Sequence, residues 1–309
     1  MMTKRVPFAK KQLEDIIKHY PTPFHLYDEA GIRRSARALK QAFAWANGFQ
    51  NYFAVKALPN PSILQIIRQE GFGADCSSLP ELVLAERAGF TGEDILLTSN
   101  ETPVEEYQKA RELGALLNLD DLSHLAFLEK HVGLPELLCF RYNPGPLREG
   151  NGIIGKPEEA KYGLTREQIF QAYTQAKERG VRRFGLHTML ASNELDPRYF
   201  IETASVLFDL LVNISRQVGI RFEFVNFGGG IGIPYRPEQT AFDLERFARE
   251  VRRLYQEKIV ENDLHPLKII MECGRLITGP HGYLVTTAIH KKETYKRYIG
   301  LDACMTNLM

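Results

Sequence analysis

Short apolar runs alternate with amphipathic stretches eight times along this chain, and that count restricts the fold more than any other feature. The runs that read as strands are residues 51–55, 73–76, 94–98, 116–119, 136–141, 183–187, 222–227 and 268–272. Between them, apolar residues recur at three- and four-residue spacing in 61–69, 79–88, 103–113, 122–131, 166–179, 197–218 and 242–258, the period of a helix with one buried face. Asn60 before Pro61 and Thr102 before Pro103 are helix start signals. Strands alternating with helices imply parallel β–α units with right-handed crossovers. Eight such units point to an α/β fold of the TIM type, a (β/α)8 barrel, and not to an open doubly wound sheet.

Two segments fall outside this pattern. Pro23-Phe24-His25-Leu26-Tyr27 is strand-like and precedes the barrel. Beyond Gly279, residues 283–289 and 298–301 read as strands with no helix between them, the beginning of a C-terminal antiparallel β domain. The expected organisation is an N-terminal segment (1–35) packing with that β domain, a barrel (36–280) and an incomplete β domain (281–309). Unpaired strand edges at 283–289 are an expected association hazard.

A net charge of +1 over 309 residues gives no electrostatic footprint for nucleic acid or an acidic membrane surface. No apolar run approaches the length of a membrane span, and the N-terminus lacks the apolar core of a secretory signal. A cytoplasmic protein acting on a small molecule is the expectation. Cys76, Cys139, Cys273 and Cys304 are widely spaced and form no CxxC pair, so neither a metal site nor a disulfide framework is expected.

In a (β/α)8 barrel, chemistry is built at the C-terminal ends of the strands. Those positions carry Lys56, Asp75, Arg141, His187, the Gly228-Gly229-Gly230 turn and Glu272. Lys56 is a candidate covalent anchor for a carbonyl cofactor, because partial burial helps an amine lose its proton and form a Schiff base. A solvated strand-end lysine is the plain alternative. The glycines let backbone N–H groups approach an anion. They lack both the GxGxxG spacing of a dinucleotide fold and the Gly-Lys-Ser/Thr of a Walker loop, and by themselves also suit a mere tight turn. Glu272 has two readings, a partner for a pyridinium N–H or an ion pair with Arg275. Arg141 and Asp75 suit a salt-bridge network in the barrel mouth equally well. His187 fits a hydrogen-bonded core histidine, and Ser192 either donates to a phosphate or caps the helix near Pro197.

Taken in order, several stretches resemble the fold-type III pyridoxal-phosphate decarboxylases, with diaminopimelate decarboxylase the nearest match. They are Tyr52-Phe53-Ala54-Val55-Lys56-Ala57, Ala74-Asp75-Cys76-Ser77-Ser78 followed by Glu81, Arg141-Tyr142-Asn143-Pro144-Gly145, Ala160-Lys161-Tyr162-Gly163, Asn226-Phe227-Gly228-Gly229-Gly230 and Glu272-Cys273-Gly274-Arg275. The resemblance implies pyridoxal 5'-phosphate as cofactor, held by Lys56, with Glu272 on the pyridine nitrogen. It places Gly228, Gly229, Gly230, Ser192, Gly274 and Arg275 around the phosphate. Asp75, Glu81 and Arg141 would order the cofactor face, and Arg275 also reaches substrate. It implies decarboxylation of meso-diaminopimelate to L-lysine and CO2, and a homodimer. Alternatives are a decarboxylase for another basic amino acid or a carboxylated polyamine, and a chain that binds the cofactor without turnover.

Two departures accompany the resemblance. The family usually has a ring-stacking histidine three residues before the phosphate-binding serine; here Met189 stands there, unless His187 takes that role across a longer turn. Asp302-Ala303-Cys304-Met305 resembles the family's Asp-Ala-Gly-Met stretch, after which about a hundred further residues of β domain are the family norm. The chain is therefore expected to be a fragment.

Overall fold

A computed structural model describes residues 6–308. The first elements are helix α1 (Lys10–His19), strand β1 (Phe24–Tyr27) and helix α2 (Glu29–Ala42). The sequence pattern marks the β1 stretch but neither helix. In α2, Asp28 accepts a hydrogen bond from the Gly31 N–H, and Ile32, Ala36 and Leu39 are buried on one face.

All eight expected barrel strands are present, with ends shifted by at most a residue. They are β2 (Gln50–Ala54), β3 (Gly73–Cys76), β4 (Ile95–Thr98), β5 (Leu116–Leu119), β6 (Leu137–Arg141), β7 (Arg183–His187), β8 (Phe222–Asn226) and β9 (Lys268–Met271). All pair in parallel, and β2 closes against β9 with Gln50 opposite Ile270. The Asn51 side chain braces this seam: its amide donates to the Cys273 carbonyl and its oxygen accepts the Cys273 N–H. The chain is thus a closed (β/α)8 barrel.

Helices α3 (Pro61–Gln69), α4 (Leu79–Arg87), α5 (Val104–Leu113), α6 (Leu122–His131), α7 (Arg166–Glu178), α8 (Pro197–Ile214) and α9 (Leu244–Tyr255) form the outer layer. Asn60 caps α3 as expected, accepting from the N–H groups of Ser62 and Ile63. Thr102 does not cap α5. Pro103 takes the cap position, and the Thr102 hydroxyl donates to the Ser99 carbonyl instead. Helices α8 and α9 end earlier than their apolar period suggests, each loosening into one wide π-type turn, Ser215–Gly219 and Gln256–Val260. A short α10 (Arg275–Thr278) follows β9.

Barrel interior and outer shell are separate apolar masses. Tyr52, Leu96, Leu116, Leu137, Cys139, Phe224 and Ile270 fill the lumen and floor whatever lies above them. The larger mass lies between strands and helices. Cys76, Cys139 and Cys273 are buried, Cys304 is exposed, and none is in a disulfide.

Residues 283–289 are not one strand. Strand β10 (Gly282–Val285) pairs antiparallel with β1, and β11 (Ala288–Glu293) pairs with β12 (Arg297–Leu301). The break is at Thr286-Thr287, where the Thr286 hydroxyl and Thr287 N–H both donate to the Asp302 carboxylate. The exposed edge expected along 283–289 is therefore partly paired.

Candidate active site

A cleft of about 720 Å3 opens at the C-terminal end of the barrel strands. Of the candidate residues, Lys56, Asp75, Arg141, Ser192, Gly229, Gly230, Glu272, Gly274 and Arg275 line it. Glu81, His187 and Gly228 stand behind its walls. A second cavity, about 430 Å3, lies at the opposite end among Arg68, Glu93, Asp94, Glu223 and Lys268. Arg183 bridges Glu93 and Glu223 there, so that end is a brace of compensating charges.

Lys56 sits in the tight turn Val55–Ala57 that follows β2. Its side chain is exposed to the cleft and not partly buried as expected; Nζ lies 3.5 Å from the Ser77 hydroxyl. The turn lifts the lysine off the buried strand, which ends one residue early at Ala54. Ser77 also fixes Glu81, whose carboxylate accepts the Ser77 N–H at 2.8 Å. Glu81 therefore acts on the cleft through Ser77. Burial pushes the Glu81 carboxyl up, against the Ser77 N–H and the Lys56 charge.

Strand register sets the polar floor. Arg141, His187 and Asn226 are partners on three consecutive strands. Arg141 pairs with Asp120 rather than Asp75, both side chains being buried, and its guanidinium lies 5.0 Å from the Tyr162 ring centre. His187 is fully buried: Nδ1 lies 2.7 Å from the Asn118 amide nitrogen, and Nε2 comes within 3.4 Å of Glu272 Oε1. Met189, not His187, faces the cleft; its sulfur accepts the Gly229 N–H at 3.2 Å.

Glu272 accepts from the Asn226 amide at 2.7 Å, while the Asn226 oxygen accepts the Gly228 N–H at 2.9 Å. One asparagine thus orients both the acid and the glycine turn. The Glu272–Arg275 ion pair weighed from sequence does not form; Arg275 donates to the Tyr235 hydroxyl. Gly229 and Gly230 are obligatory as glycines. A Cβ at Gly229 would sit 2.5 Å from the Glu272 carbonyl oxygen, and Gly230, at φ +98°, would drive one into the Ala191 carbonyl.

The two buried acids are driven apart. Burial pushes the Asp75 carboxyl well above the ordinary range, and the Glu272 charge adds to the shift. Burial also acts upward on Glu272, but His187, Lys56 and the Asn226 amide outweigh it and hold that carboxyl below its usual range. Asp75 therefore keeps its proton where Glu272 is a carboxylate. An acid that binds its proton more tightly when folded makes the native state the more protonated one between its ordinary pKa, about 4, and its raised folded value. Stability must fall as pH rises through that window. D75N is expected to reduce the slope to the part that the raised Glu81 carboxyl supplies, read from denaturant midpoints of the cofactor-free protein taken from about pH 4 upward; an unchanged slope would place its origin elsewhere.

The cleft thus holds an exposed primary amine, a buried carboxylate, a second acid whose Oδ1 has no partner, and a glycine turn packed against backbone carbonyls. This donor set fits a phosphorylated carbonyl cofactor with a basic ring nitrogen. Residues 29–279 match the pyridoxal binding domain of the pyridoxal-dependent decarboxylases. The chain belongs to that family. It is a pyridoxal-phosphate-dependent amino-acid decarboxylase, of the diaminopimelate decarboxylase-like, fold-type III kind.

Among relatives of this decarboxylase, Protein TabA of Pseudomonas amygdali pv. tabaci is 41% identical over 297 residues, spanning 96% of this chain and 69% of its own. Diaminopimelate decarboxylase of Methanothermobacter thermautotrophicus is 33% identical over 298 residues, with coverage of 96% and 69%. The structure of diaminopimelate decarboxylase from M. jannaschii in co-complex with L-lysine superposes with a TM-score of 0.85 at 27% identity, over 94% of this chain and 69% of that one. The Helicobacter pylori enzyme complexed with L-lysine gives 0.81 at 26%, over 94% and 73%.

Sequence reading overlooked Asn118, Asp120 and Asn226 as site residues. Asn118 interrupts apolar β5, Asp120 directly follows it and Asn226 ends β8, and polar residues at these C-terminal strand ends were the available signal. Among the described residues no cluster of metal-ligating side chains occurs, and no helix is long and apolar enough to cross a membrane.

Proposed function

We propose that this decarboxylase converts meso-2,6-diaminopimelate to L-lysine and CO2. The observation that carries the reading is the pairing, in one cleft, of a reactive amine with two buried acids of opposite tendency. Its substrate assignment gains support from the relatives and solved structures named diaminopimelate decarboxylase.

Lys56 would hold the cofactor through Nζ, and its position in the cleft beside Ser77 would also let it carry a proton to or from the substrate. Glu272, ionised and buried, would favour a proton on the ring nitrogen. Bound pyridoxal phosphate supplies the sink for the electron pair left when CO2 departs. Gly228, Gly229 and Gly230, Ser192 and the Gly274-Arg275 backbone cradle the phosphate, and Arg275 also reaches the substrate. Asp75, Glu81 and Arg141 would order the cofactor face, and Met189, whose thioether lines the cleft, would offer apolar surface to the ring. His187 acts from behind, through Glu272. A cytoplasmic homodimer belongs to the same reading; exposed Ile289, Tyr298, Ile299 and Leu301 on β11 and β12 offer apolar surface for a second subunit.

The 41% relative carries a different name, and an L-glutamyl-[BtrI acyl-carrier protein] decarboxylase is 26% identical, which favours a second reading: another amino-acid substrate for the same cleft. Purified protein with pyridoxal phosphate is expected to release CO2 from meso-diaminopimelate with stoichiometric L-lysine. A borohydride-trapped adduct on Lys56 without CO2 from that substrate, but with CO2 from another basic amino acid, moves the assignment to the second reading.

A further inference from the structure

Residues 148–155 form a strap whose Ile153 and Ile154 line the cleft, Ile153 largely in solvent. The strap is held from the segment that follows β7. At one end the buried Arg148 side chain reaches Glu202 at 2.5 Å and the Tyr199 carbonyl at 2.8 Å. Tyr199 returns the contact by donating its hydroxyl toward the Glu149 and Leu190 carbonyls. The other attachment is one buried amide. Asn151 Oδ1 accepts the N–H groups of Ile153 (3.1 Å), Ile154 (3.4 Å) and Ser192 (3.1 Å), and its Nδ2 donates to Glu194 Oε2 at 3.2 Å. Glu194 is itself tied to the glycine turn: its N–H donates to the Gly230 carbonyl, and its carbonyl accepts the Gly232 N–H.

We propose that Asn151 is a positioning residue that latches the strap to the Ser192 and Gly230 walls, so that cofactor retention and strap position are coupled. The coupling to the cofactor rests on the reading of Ser192 and Gly230 as phosphate ligands; the latch itself does not. A buried asparagine that uses its acceptor three times and its donor once has little freedom to rotate, and each bond it makes crosses to a wall of the cleft or holds the strap's own turn. Neither Arg148 nor Tyr199 makes a bond to Ser192 or to the glycine turn, so the amide is the direct link between strap and walls.

N151D isolates the single donor bond. The oxygen that accepts three N–H groups is kept, while the Nδ2–Glu194 bond is replaced by two facing carboxylates. E194Q alone is a milder break, because one amide oxygen cannot serve both the Leu195 and Asp196 N–H groups and Asn151 Nδ2. The double variant N151D/E194Q reverses donor and acceptor and remakes the bond. In the holoenzyme, N151D is expected to speed amide exchange at Ser192, whose N–H crosses from wall to strap, and release of pyridoxal phosphate by about tenfold or more, with the melting temperature little changed. E194Q falls between, and the double variant returns toward the parent in both readouts.

Unchanged exchange at the Ser192 amide in both single variants overturns the latch. Faster exchange with unchanged cofactor release overturns the coupling, and a double variant no better than N151D shows that the bond was not the cause. S192A tests the underlying reading separately: parental cofactor release in S192A removes the Ser192 hydroxyl from the phosphate site, and amide exchange at residue 192, whose backbone N–H the substitution keeps, then decides the latch alone.

Discussion

K56A is expected to lower CO2 release by at least about a thousandfold and to abolish borohydride trapping of cofactor on the chain. Among the residues lining the cleft, Lys56 carries the one primary amine; the guanidinium groups of Arg141 and Arg275 are engaged with Asp120 and the Tyr235 hydroxyl. The loss should not come from misfolding. The side chain is exposed and its hydrogen-bond contact with Ser77 is long at 3.5 Å. Its charge also acts on Asp75, Glu81 and Glu272, so an unchanged melting temperature of K56A at neutral pH checks that the fold is kept. K56R is expected to fail as completely, since it restores charge but not a deprotonatable amine. Small primary amines added to K56A should recover part of the rate. Activity of K56A within about tenfold of the parent would mean that another group anchors the cofactor.

E272Q is expected to lower the rate by about a hundredfold or more while leaving trapping on Lys56 intact. Glutamine fills the same volume and keeps an oxygen for the Asn226 amide, so the glycine turn that Asn226 also orients should stay in place. What is lost is the charge. Glu272 is held ionised by His187, Lys56 and the Asn226 amide against its own burial, and a neutral amide cannot keep a proton on a ring nitrogen. The pH profile and absorption band of the bound cofactor should both move, which a packing defect would not cause. A second consequence reaches Asp75. The Glu272 charge is part of what raises Asp75, so E272Q should narrow the window over which cofactor-free stability falls with pH. An E272Q enzyme with the parental rate and band position would remove Glu272 from the ring nitrogen.

Much of this was legible before any coordinates. Eight apolar runs with helical stretches between them imply a parallel barrel, since a chain with right-handed crossovers has few other ways to bury them. The barrel in turn marks Lys56, Asp75, Arg141 and Glu272 as strand-end residues, and local pattern suffices for that. Where each side chain points was less legible. His187 and Met189 are two residues apart on the way out of β7, and only packing put the imidazole behind Glu272 and the thioether in the cleft. Arg141 had an obvious acidic candidate in Asp75, yet the barrel brings Asp120 to it from the neighbouring strand's end.

By itself, then, the sequence determined the fold class and placed Lys56 and the glycine turn at strand ends, because those depend on residue type and short spacing; the kind of cofactor followed from the resemblance of whole motifs in order. Tertiary structure alone decided the partnerships: Arg141 with Asp120, Glu272 with Asn226 and His187, Asn151 with Ser192 and Glu194. It also decided which of two acids keeps its proton. Those outcomes depend on burial and on charges brought within a few ångströms by strands far apart in the chain, and neither quantity is local in sequence.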